Sequence, residues 1–380
     1  MGRNDLRSQS LDLLRFPLAV VVLTIHTFSA GGLTVQGSTV KFDELPFFLE
    51  LNHFIDGFLR GQSVPIYFFI SGYVFFLGVK LTKEKYAQKL RNRVKTLLIP
   101  YLIWNTIAVL YSLVRMIPCL AFLFPNSDKL QWDVSLSNVL GAFWDYSNAI
   151  LINPTASVEA SASLSTYPAD FPLWFLRDLM IVVLCTPLIY WLLNRTRYYA
   201  VLLLGVLWFT LGYWDLGHIH QLLTAFFFFS WGAYMSVNAK DMMHEFNRFF
   251  KPSMLLYPSL ALLYVLSVHC FPSLSDTIKR VNVFVGLLFA YNLSSWLLRH
   301  KVCKVSPFLA SSSFFVYVAH GMFCGDWLKV FFVVFRPAGE LGYLSIYVLA
   351  VVANVGMLLL VFYLLRRFAP GLLKVVAGRK

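Results

Sequence analysis

The sequence is poor in charged residues and in cysteine. Only 13% of its 380 residues are charged, whereas a soluble globular domain carries about 25%, so an ordinary soluble fold is excluded. The five cysteines show no C-x-x-C spacing, and they therefore predict neither a disulfide framework nor a cysteine zinc site. A glycine-rich phosphate-binding loop is also missing, which argues against a nucleoside triphosphatase.

Apolar residues take the place of the missing charges and make up 58% of the chain. An apolar stretch of about 20 residues spans a bilayer as a helix, so we predict an all-α integral membrane protein, a single bundle of about ten transmembrane helices. Arg15 and His26 interrupt the first apolar stretch, which is therefore expected to remain as a span and not to be a cleavable signal. The predicted spans cover residues 11–30, 62–79, 97–124, 171–193, 199–214, 219–237, 253–271, 281–298, 306–335 and 341–365.

The basic residues alternate between the connections of this bundle. Of the 32 Lys and Arg residues, 22 fall in every second connection and at the two termini, and 6 fall in the other connections. Because basic connections stay in the cytoplasm, we predict that both termini are cytoplasmic. The net charge of +13 then reflects topology, and no nucleic-acid partner is expected.

Two predicted outer connections are long, at about residues 31–61 and 125–170. Connections of this length are typically binding elements, lids or disordered segments. We find no internal repeat and no linker to a soluble domain. The chain is therefore predicted to be one membrane domain over residues 1–380.

The first span carries two ionisable residues, Arg15 and His26. They are eleven positions apart, which is about three helical turns, so both point from one helix face about 16 Å apart along the axis. Ionisable groups within a span cost about 2.5 to 3.5 kcal/mol and usually have a function. The alternative is that Arg15 reaches the cytoplasmic headgroups and His26 ends the helix.

The ninth predicted span carries a second histidine, His320, in the motif YVAHG. Counting from the cytoplasmic end of each span, His26 and His320 lie about 22 and 21 Å deep, which predicts that they share one level. Ser71, in the motif FFISGY of the second span, is predicted near the midplane, where its hydroxyl could donate to a reacting oxygen. The alternative is that Ser71 and Gly72 form a notch for close helix packing.

The fourth span begins with PLWFLRDL and contains Arg177 and Asp178. Because neighbours in sequence do not face the same way on a helix, Arg177 is expected to line a cavity as an anion or oxyanion partner while Asp178 pairs with another helix. The alternative is a structural ion pair.

A basic segment, KLTKEKYAQKLRNRVKTLLIPY, follows the second span at residues 80–101 and contains Arg91, Arg93 and Lys95. It is basic enough to bind the phosphates of a nucleotide-like ligand or of anionic lipid. The alternative is that it acts only as a topology signal.

These motifs together resemble the acyltransferase-3 family of integral membrane acyltransferases. The resemblance extends from residue 11 to about residue 330. One departure is the basic motif, which is often Arg-x-x-Arg in the family and reads RNRVK here. The matching motifs, in family order, are Arg15 with His26 for its R-x10-H signature, FFISGY, RVKTLLIPY, PLWFLRDL and YVAHG.

The resemblance implies an acyl-coenzyme A donor, with acetyl-CoA expected, and a hydroxyl of a carbohydrate or lipid-linked glycan as acceptor. It also implies a bacterial inner-membrane location among membrane lipid, and no metal is expected. In this hypothesis His26 is the general base, and Ser71, Arg177 and His320 orient or stabilise the reacting groups. The residues assigned to bind the phosphates of the acyl-CoA donor are Arg15, Arg91, Arg93 and Lys95.

Two other classes of protein fit the same composition. A transporter or flippase of a glycan or lipid precursor also buries charges in a multi-span bundle, although the sequence shows no matched pair of broken helices. A structural or receptor-like membrane protein would not depend on coenzyme A.

Overall fold

A computed structural model describes residues 3–27, 33–35, 38–40, 45–115, 117, 135–145, 166–214 and 216–378. This part of the chain is almost entirely helical, in agreement with the predicted fold class. The one exception is a hairpin of two short antiparallel strands, β1 (Leu33–Val35) and β2 (Ser38–Val40). The helices are α1 (Arg3–Thr27), α2 (Pro46–His53), α3 (Arg60–Phe76), α4 (Lys83–Arg93), α5 (Ile99–Arg115), α6 (Leu136–Gly141), α7 (Trp174–Leu184), α8 (Thr186–Thr196), α9 (Tyr198–Leu211), α10 (His218–Val237), α11 (Met242–Asn247), α12 (Phe250–Ser267), α13 (Pro272–Arg299), α14 (Pro307–Ala319), α15 (Cys324–Phe335), α16 (Gly339–Phe368) and α17 (Pro370–Val376).

Within the described residues, four helical stretches are long and apolar enough to cross a membrane, at Asp5–Thr27, Lys83–Val114, Pro272–Arg299 and Gly339–Phe368. Two bent helix pairs raise this number to six if each pair is one span. The chain is therefore an integral membrane protein, while ten spans and cytoplasmic termini stay predictions. Some predicted spans are short in the structure, as α9 shows: its 14 residues reach about 21 Å, less than the roughly 30 Å of a bilayer core.

Two of the predicted continuous spans are broken in the structure. Phe171–Leu184 and Thr186–Thr196 meet at 62°, and Pro307–Met322 and Cys324–Phe335 meet at 63°. The first break has a clear cause, because Pro187 lacks the N–H that a continuous helix would need there. At the second break the chain makes one 3-10 turn, His320–Met322, so His320 lies at the bend itself.

The basic segment after α3 was predicted as a connection, but most of it is helical. Gly78, with a positive φ of 68°, follows the end of α3, and the Thr82 side chain caps α4 by accepting a hydrogen bond from the backbone N–H of Lys85. A π turn, Val94–Leu98, joins α4 to α5. Pro100, just beyond it, lacks the backbone N–H that would donate to the Thr96 carbonyl in a regular α-helix. The basic residues therefore lie on one long helical stretch.

The described chain divides into two compact units by its internal contacts. The first unit contains Met1–Val79 and Phe228–Phe362, and the second contains Lys80–Phe227 and Tyr363–Lys380. His26, His320, Ser71 and Arg15 belong to the first unit. Arg177, with the three basic residues Arg91, Arg93 and Lys95, belongs to the second.

In the first unit, α1 packs against α3, α13 and α14. Its buried face includes Ala19, Val22 and Leu23, of which Ala19 and Leu23 have no exposed surface. Within a membrane such packing is stabilised by close van der Waals contact, which small residues such as Ala19 allow, and not by transfer from water. This packing fixes the end of α1 that carries His26.

Gly72 and Gly232 allow two helical segments of the first unit to approach closely. A Cβ atom at Gly72 would lie 2.0 Å from the carbonyl oxygen of Phe229, and a Cβ atom at Gly232 would lie 2.0 Å from the carbonyl oxygen of Phe69. Neither position can therefore carry a side chain without moving backbone. The packing notch proposed as the alternative for Ser71 and Gly72 is present, at Gly72.

In the second unit, α5 holds both the C-terminal helix and the start of α7. The indole N–H of Trp104 donates to the carbonyl oxygen of Val376 at 2.9 Å, and the Asn105 side chain accepts from the backbone N–H of Asp170 at 3.0 Å. The Tyr86 hydroxyl of α4 also donates to the carbonyl oxygen of Leu184 in α7, at 2.9 Å. The helix that carries Arg177 is therefore fixed beside the basic helical stretch.

Parts of the two long outer connections lie outside the described residues, at 28–32, 36–37, 41–44, 118–134 and 146–165. The expectation that these connections form lids or binding elements stays a prediction.

Candidate active site

The two predicted imidazoles meet in the first unit. The rings of His26 and His320 stack with their centroids 5.4 Å apart and their planes 24° apart. His26 lies in the last turn of α1 and is partly exposed, whereas His320 has no exposed surface. The equal depth predicted from helix rise therefore corresponds to a direct contact.

The hydrogen bonding of His320 defines which of its nitrogens can act as a base. Its Nδ1 lies 2.6 Å from the carbonyl oxygen of Tyr317, and because a carbonyl only accepts, Nδ1 carries the proton. Its Nε2 is buried and has no hydrogen-bond partner among the described residues. In this tautomer Nε2 holds the lone pair that a base or a hydrogen-bond acceptor uses.

Two buried residues behind His320 were not predicted from the sequence. The Cys324 thiol donates to the carbonyl oxygen of His320 at 3.1 Å, and the Asn354 side-chain amide donates to the Cys324 sulfur at 3.4 Å. Both residues are buried. Asn354 could have been noticed, because it is a polar residue in the middle of the last apolar stretch. Their contacts hold the bend at His320 in place.

Arg15 is attached to the same unit through its backbone and pairs locally through its side chain. The Tyr67 hydroxyl of α3 donates to the carbonyl oxygen of Arg15 at 2.7 Å, and the Tyr67 ring lies 5.8 Å from the ring of Tyr317. The Arg15 guanidinium bonds to Asp12 at 2.7 Å and keeps 40% of its side-chain surface exposed. Part of this cation therefore remains available to a ligand. Sequence reasoning missed Tyr67 and included Tyr317 only as part of the YVAHG motif. The Tyr317 ring lies 5.9 Å from that of His320.

Ser71 lies in α3 of the first unit and is half-buried. In the FFISGY motif, the structure shows close packing of Gly72 against the backbone of Phe229. The catalytic role predicted for Ser71 stays a prediction.

Arg177 is almost fully buried in the second unit, with 2% of its surface exposed, and Asp178 has none. The Arg177 Nε donates to Asp178 Oδ1 at 2.9 Å, so the expectation that these neighbours face different ways is wrong. The long arginine side chain curves back to the carboxylate. The other half of that expectation holds, because Nε2 of His218 in α10 lies 3.2 Å from the same Asp178 oxygen.

The rest of the Arg177 guanidinium bonds to two segments beside α7. Its Nη1 donates to the carbonyl oxygen of Trp144 at 2.7 Å and to the Thr166 hydroxyl at 2.9 Å. Its central carbon lies 5.0 Å from the centre of the Trp144 ring, within cation–π range. The ion pair therefore also has a structural role, since it holds the two ends of the segment between residues 144 and 166.

Within residues 170–178, one arginine nitrogen and three carboxylate oxygens have no hydrogen-bond partner among the described residues. They are Nη2 of Arg177, Oδ2 of Asp178 and both side-chain oxygens of Asp170, and all are buried. Burial raises the pKa of the Asp170 carboxyl well above its ordinary value. Arg177 Nη2 is thus a donor that the described part of the chain leaves unused.

The three basic residues lie on the helical stretch formed by α4 and the π turn, which packs against α7. Arg91 and Lys95, four residues apart, share a helix face and are exposed, while Arg93 is half-buried. The π turn that contains Lys95 packs against α7. The structure therefore brings the basic segment next to the helix of Arg177, with Arg91 and Lys95 on its exposed face.

Comparisons with known proteins agree with the motif resemblance. The profile of the acyltransferase-3 family, described as an acyltransferase domain, matches residues 8–366. The succinoglycan biosynthesis protein ExoH of Rhizobium meliloti (strain 1021) is 26% identical over 384 residues, covering 98% of this chain and 92% of that protein. No solved structure matches the chain.

Proposed function

This chain belongs to the acyltransferase-3 family and is an acyltransferase, and from that premise we propose that it O-acylates a surface carbohydrate. The donor is cytoplasmic acyl-CoA, with acetyl-CoA as the expected form, and the acceptor is a hydroxyl of a surface carbohydrate or lipid-linked glycan. The inner membrane is the proposed location. The relative that acts in succinoglycan biosynthesis supports a polysaccharide acceptor.

The observation that carries the proposal is the stacked pair of His26 and His320 in the first unit. Acyl transfer to a hydroxyl needs a base that takes the hydroxyl proton, and a neutral imidazole fits this task at physiological pH. His26 is partly exposed and His320 is fully buried, so His26 is the ring that an acceptor can reach.

In the proposed reaction, the His26 imidazole takes the proton of the acceptor hydroxyl, and the oxygen attacks the thioester carbonyl. The C–S bond then breaks, and the proton held by His26 passes to the coenzyme A thiolate, so that an ester and a free thiol leave. His320 orients the His26 ring by stacking, and its own tautomer is fixed by the carbonyl of Tyr317.

Charge develops on the carbonyl oxygen during this reaction and needs preorganised donors. We assign such a role to the Ser71 hydroxyl and to Arg177, whose Nη2 remains unused by the described part of the protein. Because Arg177 already bonds to Asp178, Trp144 and Thr166, its position is fixed before a ligand arrives.

We assign binding of the acyl-CoA phosphates to Arg15 and to the basic helical stretch. Arg91 and Lys95 are exposed on one face, which suits the phosphates of an acyl-CoA. Arg93 is half-buried, so its contribution is expected to be smaller or to act through packing.

A thiol-release assay tests the proposal. Purified protein in detergent is mixed with acetyl-CoA, with or without an acceptor oligosaccharide, and free thiol is measured. We expect release that depends on the acceptor and is lost in His26→Ala. Acceptor movement across vesicles without thiol release would favour the transporter, and release unaffected by His26→Ala would remove His26 from the mechanism.

A further inference from the structure

We propose that Glu50, His53 and His269 form a binding site for a divalent transition-metal ion, with Zn²⁺ as the best-suited ion. All three residues belong to the first unit, and none is among the proposed catalytic or donor-binding residues. Their potential ligand atoms, one from each side chain, all lie within 4.8 Å of one another. The inference is independent of the proposed function.

The sequence places two of the three ligands on one helix face. Glu50 and His53 are three residues apart in α2 and therefore lie one turn apart on the same side. His269 lies in the turn between α12 and α13. Its Nε2 is 2.6 Å from Glu50 Oε1, and its ring centroid is 5.5 Å from that of His53. Two segments that are far apart in sequence, α2 and the turn after α12, therefore bring these three side chains together.

The chemistry of the three side chains suits a zinc ion. Zn²⁺ binds imidazole nitrogen at about 2.0 to 2.1 Å and carboxylate oxygen at about 2.0 to 2.2 Å, and sites with two histidines and one glutamate are well represented. Nδ1 of His53 is buried and has no hydrogen-bond partner among the described residues. The described part of the chain thus leaves this potential ligand atom of His53 unused.

The backbone beneath the cluster is firmly held. The Tyr264 hydroxyl of α12 donates to the carbonyl oxygen of His53 at 3.2 Å. Below it, Phe58, Tyr264 and Ile278 form a buried apolar cluster. Gly57 allows this approach, because a Cβ atom there would lie 1.8 Å from the Tyr264 hydroxyl oxygen. A metal ion thus needs only small side-chain rotations of Glu50 and His269, which are both exposed.

The competing interpretation is a simple surface ion pair between Glu50 and His269. Such exposed pairs contribute about 0 to 1 kcal/mol, and this interpretation gives no role to His53. The two interpretations differ in whether His53 is needed for metal binding, and in whether Zn²⁺ stabilises the fold.

The test measures Zn²⁺ binding and thermal unfolding of the full-length protein in detergent. We expect one Zn²⁺ per chain by equilibrium dialysis and a rise of the unfolding temperature on adding ZnCl₂, since an ion that binds the folded state stabilises it. His53→Ala and His269→Ala should each weaken the affinity by at least about 100-fold, more than the 10- to 100-fold typical of losing a group that only supports a ligand. His269→Cys should keep zinc binding, because a thiolate is also a zinc ligand.

His244→Ala is the matched control, since His244 is an exposed histidine of the first unit outside the cluster. It should bind zinc like the parent. The proposal is overturned if the parent protein binds no stoichiometric zinc, or if His53→Ala and His269→Ala bind it as tightly as His244→Ala.

Discussion

At the scale of single residues, the proposed chemistry depends on the stacked rings of His26 and His320. The contact between His26 and His320 follows from counting helix rise from two ends that face the same side. The Arg177 to Asp178 bond could not be read from helix angles, because a long side chain can curve back to its neighbour.

Gly72→Ala tests the packing notch. The added methyl would lie 2.0 Å from the Phe229 carbonyl oxygen, and such overpacking typically costs about 1 to 3 kcal/mol, so we expect a lower unfolding temperature in detergent. Gly356→Ala is the control, because a Cβ atom there meets nothing within 4 Å and alanine favours helix over glycine. Equal behaviour of the two variants would remove the notch from the account.

The buried ion pair gives a second prediction at this scale. Arg177→Met leaves the buried Asp178 carboxylate with the His218 imidazole as its remaining partner. Removing one partner of a buried ion pair typically costs about 3 to 5 kcal/mol, so we expect a marked decrease in the unfolding temperature. The double change Arg177→Met with Asp178→Leu removes both charges and should recover most of that loss. A double variant that is as unstable as Arg177→Met would show that the contacts to Trp144 and Thr166 carry the stability instead.

At the scale of helices, the apolar pattern predicted where helices occur but not where they bend. The stretches around residues 171–193 and 306–335 are predominantly apolar, so hydropathy predicts each as one span. The breaks depend on local backbone chemistry, on Pro187 in one case and on the 3-10 turn at His320 in the other. Likewise, the many charges of residues 80–95 predicted a connection, whereas the structure has a helix there that Thr82 caps.

The helical form of this basic segment leads to a prediction for donor binding. Arg91 and Lys95 share an exposed face, so Arg91→Ala with Lys95→Ala should raise the apparent KM for acyl-CoA by about tenfold or more. A hydrogen bond to a charged group contributes about 1.5 to 3 kcal/mol. The KM for the acceptor should stay unchanged, and Lys85→Ala, exposed on another face of α4, should match the parent.

Arg15→Lys and Arg93→Ala extend this series. Arg15→Lys keeps the charge but loses the planar fork that matches a phosphate, so we expect a raised KM for acyl-CoA there too. If every variant in the series binds coenzyme A like the parent in calorimetry while protein yield falls, the basic residues are topology signals.

At the scale of the whole molecule, composition predicted an integral membrane protein, and the matched family profile over residues 8–366 agrees with the order of motifs read from the sequence. The number of spans could not be settled by hydropathy, because several predicted spans are short or bent helices in the structure. The division into two units could not be predicted from the sequence either, because each unit combines segments that are far apart in sequence.

Reporter fusions test the predicted topology. An alkaline phosphatase fusion after Ala30 should be active and therefore outside, whereas a fusion after Lys95 should be inactive and inside, because residues 80–95 form the most basic segment of the chain. An active fusion after Lys95 would overturn the arrangement with cytoplasmic termini.

The central claim is that His26 and His320 act as one catalytic pair, and the rate of acceptor-dependent thiol release tests it most directly. Rates are compared for the parent, His26→Ala, His320→Ala and the double variant, each shown to be folded by thermal unfolding. We predict that His26→Ala lowers turnover by about 10² to 10⁴, and that the double variant is no slower than His26→Ala, since residues that act as a unit are not additive. Near-parent turnover in His26→Ala, or losses that multiply in the double variant, would contradict the account.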